Sequence, residues 1–273
     1  MSDPLISAIV LFHNQRSALE AAACVRALKG QTIADNLEVI VVNNNADPAA
    51  VRSFSDSTKD QKILSIHTGA NLGYGRGNNL GAKSAQGKYL LIINPDNRLE
   101  PNALATMMKY LEERDGVGVV GPKLVFPDSS VRDSYRSFPK PLDVIIKRTP
   151  LQHFFQGRMK TYLQWDQNPD AIRDVDWMCG ACILLRRKLY EELGGFDERF
   201  FLFFEDCDLC RRIWEKGLRV VYLPTAVAHD NEQRLSAGGI LSFFTKKTVR
   251  VHTISAIKYF WKWRGKPLPR EQK

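Results

Sequence analysis

Five short strand-like runs with helical segments between them fill the first 126 residues, and no other feature restricts the fold as much. Leu5–Phe12 (LISAIVLF), Leu37–Val42 (LEVIVV), Ile63–His67, Lys88–Ile93 (KYLLII) and Val117–Phe126 read as strands. Arg16–Lys29, Pro48–Ser57, Gly75–Gln86 and Pro101–Arg114 carry helical spacing. Gly30 and Gly87 supply C-terminal stops, and Pro101 takes the first helical position, where an N–H would have no partner anyway. Most of these strands are apolar on consecutive residues, so both of their faces need cover. Helices between strands supply it, which predicts an α/β chain with a central, mostly parallel sheet flanked by helices. In such sheets ligands lie beyond the carboxyl ends of the strands. The segments of interest are therefore His13-Asn14, Asn43-Asn44-Asn45 and Asn94-Pro95-Asp96.

The second half changes character. Pro127–Asp174 has several prolines and weak periodicity, and reads as a mobile loop region over a site. Val175–Arg186 returns to a strand pattern. Lys188–Leu193 reads as a short helix ending at Gly194-Gly195, and Glu205–Lys216 as a helix stopped by Gly217. Leu218–Leu223 reads as the last strand. With 44% hydrophobic and 25% charged residues, the chain suits one globular domain, expected over 1–235, with a basic helical tail over 236–273. The start, MSDPLISAIVLFHN, lacks a basic leader and a cleavage site, and no apolar stretch approaches the roughly 20 residues that span a bilayer. A cytoplasmic location is expected.

The net charge is +9, but nine Lys/Arg against one acid fall between Ile240 and Lys273, so the remainder is close to neutral. That distribution argues against a nucleic-acid-binding domain, which would carry its basic face within the fold. Five cysteines, Cys24, Cys179, Cys182, Cys207 and Cys210, do not suggest a disulfide framework. Cys179 and Cys182 lie three apart on a strand and face opposite sides. Cys207 and Cys210 share one face of a helix with Ile213 and Trp214, which is core packing and not a zinc site.

Four places carry candidate chemistry. Asp96 ends a strand, where a carboxylate can ligate a hard cation that bridges phosphates, or can simply shape a turn. Asn71-Leu72-Gly73-Tyr74-Gly75-Arg76-Gly77-Asn78-Asn79 is glycine-rich and opens a helix, which suits either a phosphate or an ordinary turn. Glu205, Asp206 and Asp208 follow the aromatic run Phe200-Phe201-Leu202-Phe203-Phe204. Asp208 has Arg212 at i+4 and reads as an ion pair. Glu205 and Asp206 also complement a helix dipole, yet the phenylalanines should desolvate them and raise their pKa, as a general base needs. His229 follows the last expected strand and is a ligand candidate or a polar loop residue.

Taken in order, LISAIVLFHN, VIVVNNNAD, NLGYGRGNNLG, LLIINPDN, WMCGACILLRR, GGFDERFFLFFEDCDLCRR and AVAHD resemble the family 2 glycosyltransferases, which have the GT-A fold. The resemblance spans about residues 5–232 and is nearest to bacterial rhamnosyltransferases of polysaccharide and O-antigen assembly. It implies a metal-dependent, inverting transfer of a sugar, rhamnose from dTDP-rhamnose, onto a glycan or polyprenyl-linked acceptor. A UDP-hexose donor, or a catalytically inactive nucleotide-sugar binder, is the alternative. By resemblance, Asp206 is the catalytic base. Asn14, Asn43, Asn71, Gly73, Arg76, Asn78 and Asp96 line the nucleotide-sugar site, and Trp177, Gly180 and Glu205 the acceptor site. Asp96 and His229 would hold a divalent cation, Mg2+ or Mn2+. Two residues depart from the family pattern. Asn43 replaces an aspartate that bonds the base, and Asn94 replaces the first acid of Asp-x-Asp. A nucleotidyltransferase would instead carry a glycine-rich basic loop where Phe12-His13-Asn14-Gln15 stands.

The tail residues 240–264 mix basic with aromatic and aliphatic side chains. They suit either a helix lying on an anionic membrane surface or one packed on the domain with a charged outer face.

Overall fold

A computed structural model describes residues 4–59, 62–231 and 247–269. The strands are β1 (Ile6–Phe12), β2 (Leu37–Asn43), β3 (Leu64–His67), β4 (Tyr89–Ile93), β5 (Asn97–Leu99), β6 (Val117–Val125), β7 (Tyr135–Arg136), β8 (Arg173–Asp174), β9 (Trp177–Met178), β10 (Cys182–Arg186) and β11 (Arg219–Asp230). The α-helices are α1 (Gln15–Lys29), α2 (Pro48–Ser57), α3 (Tyr74–Lys83), α4 (Ala103–Glu112), α5 (Pro141–Lys147), α6 (Gln156–Leu163), α7 (Arg187–Glu192), α8 (Glu205–Glu215) and α9 (Lys247–Lys262).

The main sheet has the order β3-β2-β1-β4-β10-β6-β11-β5, with β8 on β11. Its first half is parallel, as the apolar runs predict: β1 pairs with β2 and β4, and β2 with β3. Side-chain alternation explains why those runs are continuous. Ile6, Ala8, Val10 and Phe12 of β1 pack on one face with α1, α2 and α4. Ile9 and Leu11 pack on the other with α3, α7, α8 and α9. Each such fully buried aliphatic side chain contributes about 1.5–3 kcal/mol.

The other half is mixed, where a mostly parallel sheet was expected. β10 runs antiparallel between β4 and β6, and β11 is parallel to β6 but antiparallel to β5. This reversal fixes the site. Because Cys182 of β10 pairs with Ile93 of β4, the start of β10 lies where β4 ends. Residues just before β10 therefore join the loops that follow β1, β2 and β4 on one edge.

Four sequence expectations are corrected. Pro127–Asp174 is not a featureless loop: it holds α5, α6 and a small core of Ile146, Met159, Tyr162 and Leu163. Val175–Arg186 is broken at Cys179–Ala181 into β9 and β10. Helix α4 begins two residues after Pro101. The last strand does not stop at Leu223 but continues to Asp230, and places His229 inside it. Pro224 marks the irregularity. The β11–β6 register shifts between Leu223 and Val227, so the residue without an N–H sits at a bulge and not in the ladder.

Helix α9 is seated in the core. Ala256 and Tyr259, with Trp263 just beyond the helix, are buried with Phe204 and Cys207. Residues 236–246 and 270–273 of the expected tail lie outside the described residues. No helix among the described residues is long and apolar enough to cross a membrane.

Candidate active site

The loops after β2 and before α3 are tied together by Asn44. Its Oδ1 accepts from the Leu72 N–H at 2.9 Å, and its Nδ2 donates to the Gly73 carbonyl at 3.0 Å and to Asn71 Oδ1 at 3.3 Å. Asn71 Oδ1 also accepts from the Gly73 N–H at 2.9 Å, which closes a turn. Gly73 has φ +89, and a Cβ there would lie 2.3 Å from the Phe201 carbonyl oxygen. Only glycine permits this approach, which lets the Tyr74 N–H donate to Phe201 O at 2.8 Å. The glycine-rich loop is thereby fastened to the aromatic run before Glu205. Along α3, Asn78 donates to the Tyr74 carbonyl at 3.0 Å, and Arg76 pairs with Glu198 at 3.1 Å.

Gly180 is the meeting point. Tyr74 Oη donates to its carbonyl at 2.6 Å, and its N–H donates to Asp206 Oδ2 at 3.1 Å. The next residue, Ala181, accepts from the Asn94 N–H at 2.7 Å. Four segments distant in sequence converge there: the start of α3, the end of β4, the turn before β10 and the start of α8.

Glu205 and Asp206 open α8 after two consecutive left-handed residues, Phe203 (φ 68) and Phe204 (φ 70). Such backbone in non-glycine residues costs about 1–3 kcal/mol each and persists only when packing imposes it. Helix α9 imposes it here. Ser255 Oγ donates to the Leu202 carbonyl at 2.9 Å, His252 lies 5.1 Å from the rings of both Phe203 and Phe204, and Tyr259 lies 5.3 Å from Phe204.

The two carboxyls differ in surroundings. Glu205 is 4% exposed, and among the described residues its Oε2 has no hydrogen-bond partner. Burial first, then the Asp206 charge, push its pKa well above the carboxylate range. Burial also raises Asp206, but the N–H groups of Gly180 and Cys207 and the nearby Arg136 charge oppose the rise. Asp206 therefore has more around it that favours the charged form than Glu205 has. Asp208 plays no such part: it is buried and bonded to Arg212 at 2.8 Å, Lys262 at 2.6 Å and the Trp263 indole at 2.9 Å.

The remaining candidates are placed as follows. Asn14 caps α1, its side chain accepting from the Ser17 N–H at 2.8 Å. Asn43 is buried and bonded to His67 Nδ1 at 3.1 Å and to Asn45. Trp177 donates through its indole to Ser137 O at 2.9 Å, with the Arg136 guanidinium 5.4 Å from its ring. Asp96 is half-buried, and its Oδ1 accepts from Asn97 Nδ2 at 3.1 Å.

His229 lies on β11 next to the β5 edge. It faces Arg98 across the β11–β5 ladder, and its Nε2 lies 3.2 Å from Glu100 Oε1. Among the described residues no three His, Cys, Asp or Glu side chains form a metal-holding group. The donor set does fit a divalent ion taking one carboxylate, Asp96, and its other oxygens from phosphates and water.

Four contributors escaped the sequence reading. Asn44 was indistinguishable from its neighbours Asn43 and Asn45. Tyr74 and Asn79 lay inside the glycine-rich segment with nothing to set them apart, and Arg136 carried no motif. Asn79 pins Gly194–Phe196 through Tyr190 Oη at 2.6 Å and the Phe196 N–H at 2.9 Å.

Comparison with known proteins extends the picture. Residues 7–194 match the family model described as Glycosyl transferase family 2. The O-antigen biosynthesis protein RfbC of Myxococcus xanthus is 30% identical over 80% of this chain, which spans 16% of that protein. The N-acetylglucosaminyl-diphospho-decaprenol L-rhamnosyltransferase of Mycobacterium tuberculosis (strain H37Rv) is 31% identical over 70% of this chain and 65% of its own length. Rhamnosyltransferase WbbL of Escherichia coli (strain K12) is 28% identical over 82% of this chain and 88% of its own. Among solved structures, GalNAc-T7 with UDP, GalNAc and Mn2+ superposes with a TM-score of 0.62 at 13% identity, over 92% of this chain and 48% of that one. At that identity the likeness speaks for the GT-A fold alone.

Proposed function

The chain belongs to glycosyl transferase family 2, and from that premise we propose that it transfers rhamnose from dTDP-rhamnose to a hydroxyl of a glycan or polyprenyl-linked acceptor, with inversion. The observation that carries the reading is the convergence of Asp206, Gly180, Tyr74 and Asn94 at the carboxyl edge of the sheet. Asp206, the carboxyl whose surroundings favour the charged form more, removes the acceptor proton as that oxygen attacks the anomeric carbon. Glu205, still protonated, donates a hydrogen bond to the acceptor. The N-terminus of α3, with Asn71, Gly73, Arg76 and Asn78 around it, receives the donor's diphosphate. Asn14 and Asn43 lie toward the base, and Trp177 flanks the acceptor. Asp96 would hold a Mg2+ or Mn2+ ion shared with the diphosphate, and such an ion offsets charge developing on the leaving group. One base and no separate nucleophile make a single displacement the economical mechanism.

A thermal-shift panel tests the donor. Deoxythymidine diphosphate should raise the melting temperature more than uridine or guanosine diphosphate, and Mn2+ should increase the effect, because a ligand at 100 times its Kd adds about 2.7 kcal/mol. Asp96→Asn should abolish the Mn2+ enhancement. No shift with any nucleoside diphosphate would remove the proposal.

The outer face of α9 supports a membrane contact. Ile254, Ile257 and Trp261 are 51%, 64% and 68% exposed. Arg250, Lys258 and Arg264 are exposed beside them, with the Arg264 guanidinium 3.9 Å from the Trp261 ring. This stripe suits an anionic bilayer that carries the acceptor. Ile257→Glu with Trp261→Glu should cut co-sedimentation with phosphatidylglycerol vesicles at least about fivefold, since these side chains supply most of the exposed apolar area of the helix. Unchanged binding would exclude this face. Truncation is a poorer test, because the opposite face of α9 is core.

A further inference from the structure

Gly180 and Ala181 form the turn between β9 and β10. The main-chain groups on either side of Gly180 are held by other main chain. The Cys179 N–H donates to Ser134 O at 2.8 Å, and Ala181 O accepts from the Asn94 N–H at 2.7 Å. Gly180 itself is held by side chains. Its N–H donates to Asp206 Oδ2 at 3.1 Å, and its carbonyl accepts from Tyr74 Oη at 2.6 Å. A Cβ on Gly180 would lie 3.5 Å from Asp206 Cβ and 3.5 Å from Tyr74 Oη, so the residue is gripped between the two. One of them is the proposed base. The other, the first residue of α3, has no task yet in the transfer.

The tyrosine ring has uses that do not need its oxygen. It packs 5.8 Å from the Phe196 ring, and the Tyr74 main-chain N–H donates to Phe201 O. The hydroxyl is spent on Gly180. Burial first, then the charges of Glu205 and Asp206, hold its pKa well above the ordinary tyrosine value. It therefore stays a donor at any pH at which the reaction runs, and takes no proton from the acceptor. A glycine needs such an anchor, because its φ and ψ are the freest of any residue. With its carbonyl released, the Gly180 N–H is free to swing off Asp206.

We propose, resting on the reading of Asp206 as the general base, that Tyr74 is its positioning residue: the hydroxyl holds the Gly180 carbonyl and so keeps the Gly180 N–H on Asp206 Oδ2. Each carboxylate oxygen then accepts one N–H, Oδ2 from Gly180 and Oδ1 from Cys207 at 2.8 Å, which fixes the plane of the group. Misplacing a catalytic group by about 1 Å can cost roughly 10²-fold in rate. The same bond favours the charged form of Asp206. The other groups facing Asp206 are Glu205, Cys207 and Cys210 of α8, Arg136 of β7 and the Tyr74 hydroxyl. Tyr74→Phe leaves every charge among them in place and loosens the Gly180 N–H. Losing that bond raises the Asp206 pKa. A base works only when deprotonated, so the acid limb of the rate profile moves to higher pH.

Tyr74→Phe keeps the ring and its packing. Steady-state rates over about pH 4 to 8 should show kcat lowered about fivefold or more, with the acid limb higher by about half a pH unit or more, the scale of one hydrogen bond to a charged group. Deoxythymidine diphosphate affinity should stay within about twofold, because the main chain that opens α3 is untouched. In the Asp206→Asn background, followed by single turnover at high enzyme concentration, Tyr74→Phe should cost less than about twofold more, since residues acting through one group are not additive. A wild-type acid limb in Tyr74→Phe overturns the proposal even if kcat falls, for the hydroxyl would then serve the fold and not the base. So does a full further loss on top of Asp206→Asn. A fall in deoxythymidine diphosphate affinity that matches the fall in kcat also overturns it, and assigns Tyr74 to the donor. Near-normal turnover in Asp206→Asn alone removes the base, and the positioning role with it.

Discussion

Asp206→Asn is expected to lower kcat by roughly 10²–10⁴-fold, the usual worth of a general base, while deoxythymidine diphosphate affinity changes by less than about twofold. The substitution keeps the volume of the side chain and an oxygen for the Gly180 N–H, which Asp206 accepts at 3.1 Å. It removes the capacity to take a proton and leaves one of the two N–H groups, of Gly180 or Cys207, without its oxygen. The pH profile of the wild type follows from the same environment. Burial raises Asp206 above the carboxylate range, and a base works only when deprotonated. Activity should therefore be lost as pH falls through that raised value, at a higher pH than for an exposed aspartate. Steady-state rates from pH 4 to 8 check this. An acid limb at the ordinary aspartate value, or near-normal turnover in the variant, would remove Asp206 from its role.

The second large effect lies some distance along the chain. Trp263→Ala is expected to destabilise the protein by about 3–5 kcal/mol, the range for deleting a buried aromatic side chain. Trp263 is 7% exposed, donates to Asp208 Oδ1 at 2.9 Å and has the Arg211 guanidinium 4.2 Å from its ring. Removing it opens a cavity and takes a partner from a carboxylate that is fully buried. Trp263→Phe should recover most of the packing and leave about 1–3 kcal/mol for the lost hydrogen bond. Urea unfolding of the three proteins gives both numbers. A loss below about 1 kcal/mol for the alanine variant would mean that α9 is an appendage. The expected loss would make it part of the catalytic unit, although the family match ends at residue 194. Through Ser255, His252 and Tyr259 the helix also holds the strained Phe203-Phe204 turn from which Glu205 and Asp206 project.

Local signals made the first half of the fold legible. β1, α1, β2 and α2 fall within a residue of their expected ends, because continuous apolar runs and a Gly30 stop are local features. The direction of a strand is not local. Nothing in CILLR distinguishes a parallel from an antiparallel neighbour, yet the antiparallel setting of β10 is what carries Gly180 to Asn94. The insertion between β6 and β9 hid its helices because α5 and α6 are seven and eight residues long and cover only a small core. The left-handed Phe203 and Phe204 were invisible, since only glycine or asparagine advertises positive φ. His229 falls inside β11 because the strand runs on past a register shift around Pro224 to Asp230, which no local pattern marks. By contrast, the desolvation of Glu205 and Asp206 could be anticipated from the phenylalanines that precede them.

The most direct measurement is sugar transfer itself. Purified protein, dTDP-rhamnose, Mg2+ and a short-chain polyprenyl-linked glycan acceptor should yield a rhamnosylated product whose anomeric configuration is opposite to that of the donor, in a reaction that Asp206→Asn nearly abolishes. A product with retained configuration, or no transfer from any nucleoside-diphosphate sugar by protein that binds deoxythymidine diphosphate, would contradict a single displacement driven by Asp206.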